Sequence, residues 1–203
     1  MRMLAPFLSV ALSTLLPATF VAAEVAVIGS AAPDFHLTSA DGQPTSLSQF
    51  KGKTVVLEWY NPGCPFVKKF YSRGDMQRLQ RTARDKGAVW LTISSSAEGK
   101  QGHISQKDAP GAVQSAKLES AALLLDPSGA VGREYGARTT PHIFVIDPKG
   151  TLVYAGAIDS EPSTDPSDVA GATNYALLAI DSIAAGKPIE PSSTEPYGCS
   201  VKY

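Results

Sequence analysis

Three short apolar runs constrain this chain more than any other feature: Lys53–Tyr60 (KTVVLEWY), Ala88–Ser94 (AVWLTIS) and Ala121–Asp126 (AALLLD). Each has the length of a strand, and a nearly continuous apolar run is what a strand covered on both faces requires. From Pro65 to about Lys86, Phe66, Val67, Phe70, Tyr71, Met76, Leu79 and Ala83 recur at helical spacing, with Gly74 as a break. Residues 111–118 predict a short helix, and the turn Asp126-Pro127-Ser128-Gly129 opens a brief one through Tyr135. HIFVID, a Pro-Lys-Gly turn and TLVYAGAID then read as a hairpin, after a loop-rich start in which Asp41-Gly42 marks an earlier one. TNYALLAIDSIAAGK predicts a last helix, capped by Thr173 or Asn174 and stopped at Gly186. Strands alternating with helices and closed by a hairpin imply an α/β fold rather than a bundle or an all-β sandwich. The expectation is one domain over 24–186 and a tail over 187–203 that packs on it.

The first residues belong to a different logic. Arg2 precedes an apolar stretch from Leu4 to Phe20, and Val21-Ala22-Ala23 supplies small residues for cleavage. Pro6 and Pro17 interrupt the stretch, so a buried helix is a poor reading and a signal peptide over 1–23 a good one. The implied location is exported, periplasmic or secreted. Past that segment no apolar run approaches the roughly 18 residues of a membrane span. A formal net charge of −1 with no basic block argues against nucleic acid as partner.

Export matters because the chain has two cysteines, Cys64 and Cys199, and an oxidising compartment lets a disulfide persist. Cys64 sits in NPGCPFVKKF, where the first strand hands over to a helix, and Pro65 suits the first helical turn. A thiol at a helix start is held partly as thiolate and made reactive, and Lys68 or Lys69 would add to that field if either faced the sulfur. Glu58 interrupts the apolar strand six residues earlier; a carboxylate there is costly to bury, so it needs a purpose or a cationic partner. Thr139-Thr140-Pro141 stands just ahead of HIFVID, a place where proline is allowed and a cis bond is at home. His36, His103 and His142 are scattered without metal-ligand spacing, so neither a metal nor a cofactor is expected; a copper-type site of His142 with Cys64 is the alternative.

These stretches carry a resemblance. APDFHLTSADGQPTSLSQFKGKTVVLEWYNPGCPFVKKFY and GARTTPHIFVIDPKGTLVYAGAID resemble the opening and the cis-proline hairpin of the alkyl hydroperoxide reductase/thiol-specific antioxidant (redoxin) group. The ending NYALLAIDSIAAGKPI…PYGCSVKY is similar to a peroxiredoxin-like subfamily. The resemblance implies a thioredoxin-like fold: a central mixed sheet flanked by helices, with an N-terminal hairpin extension and an extended C-terminal tail. The chain also departs from the pattern. Val67 takes the place of the second cysteine of Cys-x-x-Cys, whereas Glu58 matches the buried acid of thioredoxins. In the peroxiredoxin register, Tyr60, Cys64 and Val67 replace the proline, threonine and peroxidatic cysteine. Counting back from Cys64 instead finds Leu57 and Asn61.

Three readings stay open. In the first, a thiol–disulfide oxidoreductase, Cys64 attacks, Glu58 moves protons, Thr140 and Pro141 present backbone to an extended substrate, and Cys199 resolves the mixed disulfide. Its partners are protein or small-molecule thiols and disulfides. In the second, a peroxidase of unusual layout, hydroperoxides are the partners and the intermediate is a sulfenic acid. In the third, Cys64–Cys199 is a structural staple in a binding module. For the tail, prolines at 188, 191 and 196 predict an extended path, Gly198 a close approach, and Tyr197 and Tyr203 anchors. Cys199 is therefore expected close enough to Cys64 for a disulfide, with Cα atoms within about 7 Å.

Overall fold

The computed structural model describes residues 25–203, so the expected signal peptide over 1–23 lies outside the described residues. Strands β1 (His36–Ser39), β2 (Pro44–Ser46), β3 (Val55–Trp59), β4 (Val89–Ser94), β5 (Ala122–Leu125), β7 (His142–Ile146) and β8 (Leu152–Gly156) form one sheet in the order β2-β1-β5-β4-β3-β7-β8. β3, β4 and β5 are parallel, and β7 and β8 add antiparallel on one side. The hairpin β1–β2 adds antiparallel on the other. The mixed sheet follows from chain economy: parallel neighbours need helical crossovers, and the two hairpins close with short turns.

All five residues of β3 are buried, Glu58 included, as its nearly continuous apolar run implied. Alternation sends Val55, Leu57 and Trp59 to one layer, where Trp59 meets Phe144 and Tyr135 at ring distances of 5.1 and 5.6 Å. Val56 faces the opposite layer, with Phe70, Met76, Ile143, Tyr154 and Ile180. That second layer is supplied by α1 (Pro65–Tyr71), α2 (Asp75–Asp85) and α5 (Tyr175–Ala184). The helical stretch after Cys64 is thus two helices, parted at Gly74, whose φ of +80° suits a residue without a Cβ. The Asn174 side chain caps α5 by accepting from the Leu177 N–H. Two short helices, α3 (Ala109–Ala116) and α4 (Ala130–Glu134), flank β5 in sequence. The loop over 160–168 tightens into a 3-10 turn, Pro166–Ala170.

The tail runs extended along the domain. Ser193 bridges Ala155 at the β8 edge, and the Thr194 hydroxyl accepts from the Ala157 N–H. Further on, β9 (Cys199–Ser200) pairs antiparallel with β6 (Thr139–Thr140). Both tyrosines hold it in place. The Tyr197 ring meets Phe66 edge-on at 5.9 Å, and Tyr203 donates to the Ala137 carbonyl with Arg133 over its ring. Among the described residues no helix is long and apolar enough to cross a membrane.

Candidate active site

Cys64 occupies the N-cap of α1, with φ −78° and ψ 126°, and Pro65 follows in the first turn. The turn before it is tied down locally. Asn61 accepts from the Gly63 N–H through its side chain and from the Cys64 N–H through its carbonyl, and its amide donates to the Gln101 carbonyl. The Cys64 side chain is fully buried, at 0% exposure. Its thiol donates to the Thr140 carbonyl at 3.0 Å. The next peptide, Thr140–Pro141, is cis. Cys64 and Thr140, the residue before the cis-proline and 76 positions away in sequence, therefore meet at the end of the sheet where β3 and β7 are neighbours.

The tail completes the site. Cys199 stands opposite Thr140 in the β6–β9 register and packs, half-buried, into the cluster around Cys64, Tyr60 and Val67. Gly198 crosses the Thr140 carbonyl so closely that a Cβ would collide with its oxygen; its φ of +139° is open to glycine. Both thiols are free and interact. Burial raises the Cys64 pKa, but the interaction with the Cys199 thiol, the Thr140 hydroxyl, and the Cys199 and Val67 N–H groups outweigh it and hold the thiol below its ordinary value. Cys199 moves the opposite way, up to about 11, through burial and through the hydrogen bond and charge of Cys64. The protons sort themselves: the buried sulfur is the acidic one.

Thr140 contributes more than a carbonyl. Its hydroxyl is buried without a hydrogen-bond partner while Cys64 is a thiol, a costly state for a polar group unless another protonation state satisfies it. A thiolate at Cys64 would supply the acceptor. Thr140→Val, nearly isosteric, is expected to weaken thiolate formation by about 1 kcal/mol, or about five-fold at fixed pH. Titration of thiolate ultraviolet absorbance in a Cys199→Ser background reads the shift, and an unchanged curve would show that the hydroxyl does not act on the sulfur.

Several expected contacts differ. Neither lysine strengthens the field at the sulfur. Lys68 is exposed, and Lys69 turns into the domain. There Lys69 pairs with Asp159 at 3.4 Å, donates to the Glu161 carbonyl, and lies over the Tyr197 ring. Tyr197 in turn donates to Asp159. Helical phase is the reason: one position separates the two lysines, about 100° of rotation, and the buried stripe takes only the second. Glu58 is buried as foreseen but has no cation among the described residues. Instead it accepts from Trp90 Nε1 and Tyr71 at 2.8 Å, Thr92 at 3.2 Å and Gln80 at 3.3 Å. Cys64 is not among these partners. Tyr71 packs on Tyr60 at 5.2 Å, and Tyr60 belongs to the Cys64 cluster, so the acid and the thiol are linked through two aromatic rings. Burial pushes the Glu58 carboxyl up to about 7, against the opposing pull of Trp90, Tyr71, Thr92 and Gln80.

His142 lies on the Phe144 side, ring to ring at 4.4 Å, and its Nδ1 accepts from the Arg138 N–H. Among the described residues no three His, Cys, Asp or Glu side chains are placed to hold a metal ion. The sequence reading missed Asp159 and the four donors to Glu58. A glutamine at position 80, at helical spacing from Met76 and Ala83 on the apolar stripe of α2, was the available sign of a polar network; nothing local marked Asp159.

A mixed sheet carrying a buried cysteine at the strand–helix junction, across from a cis-proline, defines a protein of the thioredoxin-like class. The AhpC/TSA family model matches residues 28–155, and the chain belongs to the AhpC/TSA family. The thioredoxin-like protein YneN of Bacillus subtilis (strain 168) is 29% identical over 124 residues, covering 61% of this chain and 68% of that protein. The thiol-disulfide oxidoreductase ResA of Bacillus thuringiensis subsp. konkukian is 24% identical over 147 residues, covering 69% and 75%. In fold, the chain is similar to a hypothetical protein of Sinorhizobium meliloti 1021, with a TM-score of 0.73, 23% identity and coverage of 87% and 94%.

Proposed function

We propose that the protein is an exported thiol–disulfide oxidoreductase in which Cys64 and Cys199 form a reversible two-sulfur couple. The observation that carries this reading is the register of β9: it sets Cys199 opposite Thr140, whose carbonyl takes the Cys64 thiol. A sulfur depressed in pKa beside one raised in pKa is the asymmetry that thiol–disulfide exchange uses, since one member attacks or leaves as thiolate while the other holds its proton. Membership of the AhpC/TSA family and likeness to a relative named as a thiol-disulfide oxidoreductase support the same chemistry. Glu58 serves in this reading as a buried proton carrier, acting at a distance through Tyr71 and Tyr60. Thr140 and Pro141 form the wall against which the exchanging sulfurs meet, with β9 on the edge where an extended substrate was expected. Export rests on Arg2, the apolar stretch and Val21-Ala22-Ala23.

A labile couple and a structural staple differ in potential. The full-length mature protein, equilibrated against a glutathione series and mapped by mass without reduction, is expected to interconvert between a Cys64–Cys199 disulfide and two thiols. Its potential should lie well above the roughly −300 mV below which structural disulfides resist that pool. A bond that survives the whole series would leave the staple, and two thiols that never pair would remove the couple.

A further inference from the structure

The sequence reading sends the partner to Cys64 and gives Cys199 the resolving part; the geometry points to the reverse. We infer that Cys199 is the sulfur that meets the external thiol, and that Cys64 is the internal sulfur that leaves and returns. The inference rests on the two-sulfur couple proposed above. Cys64 has 0% exposure and is enclosed by its own cluster, whereas Cys199 is half-buried in the last, two-residue strand. The backbone edge that would guide an incoming chain to Cys64 is also taken. Thr139 and Thr140 are paired with Ser200 and Cys199, Gly198 lies against the Thr140 carbonyl, and Tyr197 packs on Phe66 beside Cys64. With that edge filled, a partner cannot add a strand there, so it reaches the couple as a low-molecular-weight thiol or a protruding cysteine side chain.

The chemistry fits this direction. In the oxidised protein an external thiolate attacks the Cys199 sulfur, the Cys64–Cys199 bond breaks, and Cys64 departs as thiolate. A thiol of low pKa leaves fastest, and in the reduced pair Cys64 is the depressed one, with the Cys199 thiol contributing most against burial. Once Cys199 is bonded to the partner, the Thr140 hydroxyl and the backbone N–H groups of Cys199 and Val67 remain to hold the Cys64 charge. The partner is then bonded to Cys199. A second external thiolate attacks the partner's sulfur, an external disulfide forms, and Cys199 is released and takes a proton. Two thiols have been oxidised to one disulfide, and the protein disulfide has taken up the two electrons. In the reverse of the first step the Cys64 thiolate attacks Cys199 and expels the partner. Stabilisation of the Cys64 thiolate favours the reduced protein, so the couple acts as a disulfide donor.

The test places the adduct. Oxidised full-length wild-type protein is mixed with reduced glutathione, quenched with acid at short times and peptide-mapped. Glutathione is expected on Cys199 in about tenfold excess over Cys64, following the accessible sulfur. An excess on Cys64 overturns the inference while leaving the couple intact. Two free thiols in the protein before glutathione is added overturn the couple and the inference together, and an intact disulfide that takes up no glutathione overturns the inference. The assignment is read a second way, independent of adduct lifetime. In folded single-cysteine variants at alkaline pH, N-ethylmaleimide should modify Cys199 in Cys64→Ser about tenfold faster than Cys64 in Cys199→Ser. Equal or reversed rates overturn the inference.

Discussion

Lys69→Ala is expected to lose about 3–5 kcal/mol of stability, because it removes one member of a buried ion pair and leaves Asp159 without its cation. The pair lies almost wholly out of water, at 0% and 2% side-chain exposure. Set against a total of about 5–15 kcal/mol for a typical domain, that is a large fraction. The surface pairs Lys86–Asp181 and Arg138–Glu195 are half or more exposed on at least one side, and removing one is expected to cost under about 1 kcal/mol. Denaturant midpoints at constant slope give the comparison. Because Lys69→Met with Asp159→Asn leaves no stranded charge and keeps an acceptor for Tyr197 and the Glu161 N–H, the double variant should recover most of the loss. A single variant as mild as the surface ones would show that Asp159 is satisfied by Tyr197 and the Glu161 N–H without Lys69. The effect should reach the site as well. Lys69 and Asp159 fix Tyr197, two residues before Cys199, so Lys69→Ala should also slow formation of the Cys64–Cys199 disulfide.

The second large effect depends on pH. Glu58 has an ordinary value of 4.5 and is raised by burial to about 7 in the folded protein. Between those values the native state holds a proton that the unfolded chain has released. Stability from this group is therefore complete below about pH 4.5 and falls as pH rises towards 7, by about 3 kcal/mol in all. Glu58→Gln removes that slope. Its amide can accept from Trp90 and Thr92 and donate to the Tyr71 oxygen, as the protonated carboxyl can. The variant is expected to match the wild type near pH 4.5 and exceed it by about 3 kcal/mol above pH 8. A parallel loss of stability with pH in both proteins would assign the slope to other groups. A purely structural role would leave the pH profile of glutathione exchange unchanged apart from stability. As a proton carrier, Glu58 gives that profile an inflection near 7, and the inflection disappears in Glu58→Gln.

Much of the fold was written in periodicity. The nearly continuous apolar runs at 53–60, 88–94 and 121–126 could bury both faces only as central strands, and they contain β3, β4 and β5. Gly74, Asn174 and Gly186 punctuate helices by local backbone chemistry, which sequence states directly. Cys64 at a helix start and Pro141 before a strand were legible for the same reason. Each depends on a few neighbouring residues.

What the sequence by itself determined is the central strands and the main helices, the thiol at the junction and the presence of a costly acid inside the sheet. What only the tertiary structure decided is who faces whom. Lys68 and Lys69 look alike in sequence, yet only Lys69 enters the domain, because its partner Asp159 comes from 90 residues away. Glu58 needed compensation, but neutral donors from β4 and the two helices supplied it instead of a cation. Cys199 was expected near Cys64. Its pairing on the very edge where substrate was expected, and the burial that leaves Cys64 the hidden sulfur, came from packing of the tail. Local propensity acts over a turn or a strand, whereas burial and charge pairing are settled between segments distant in sequence.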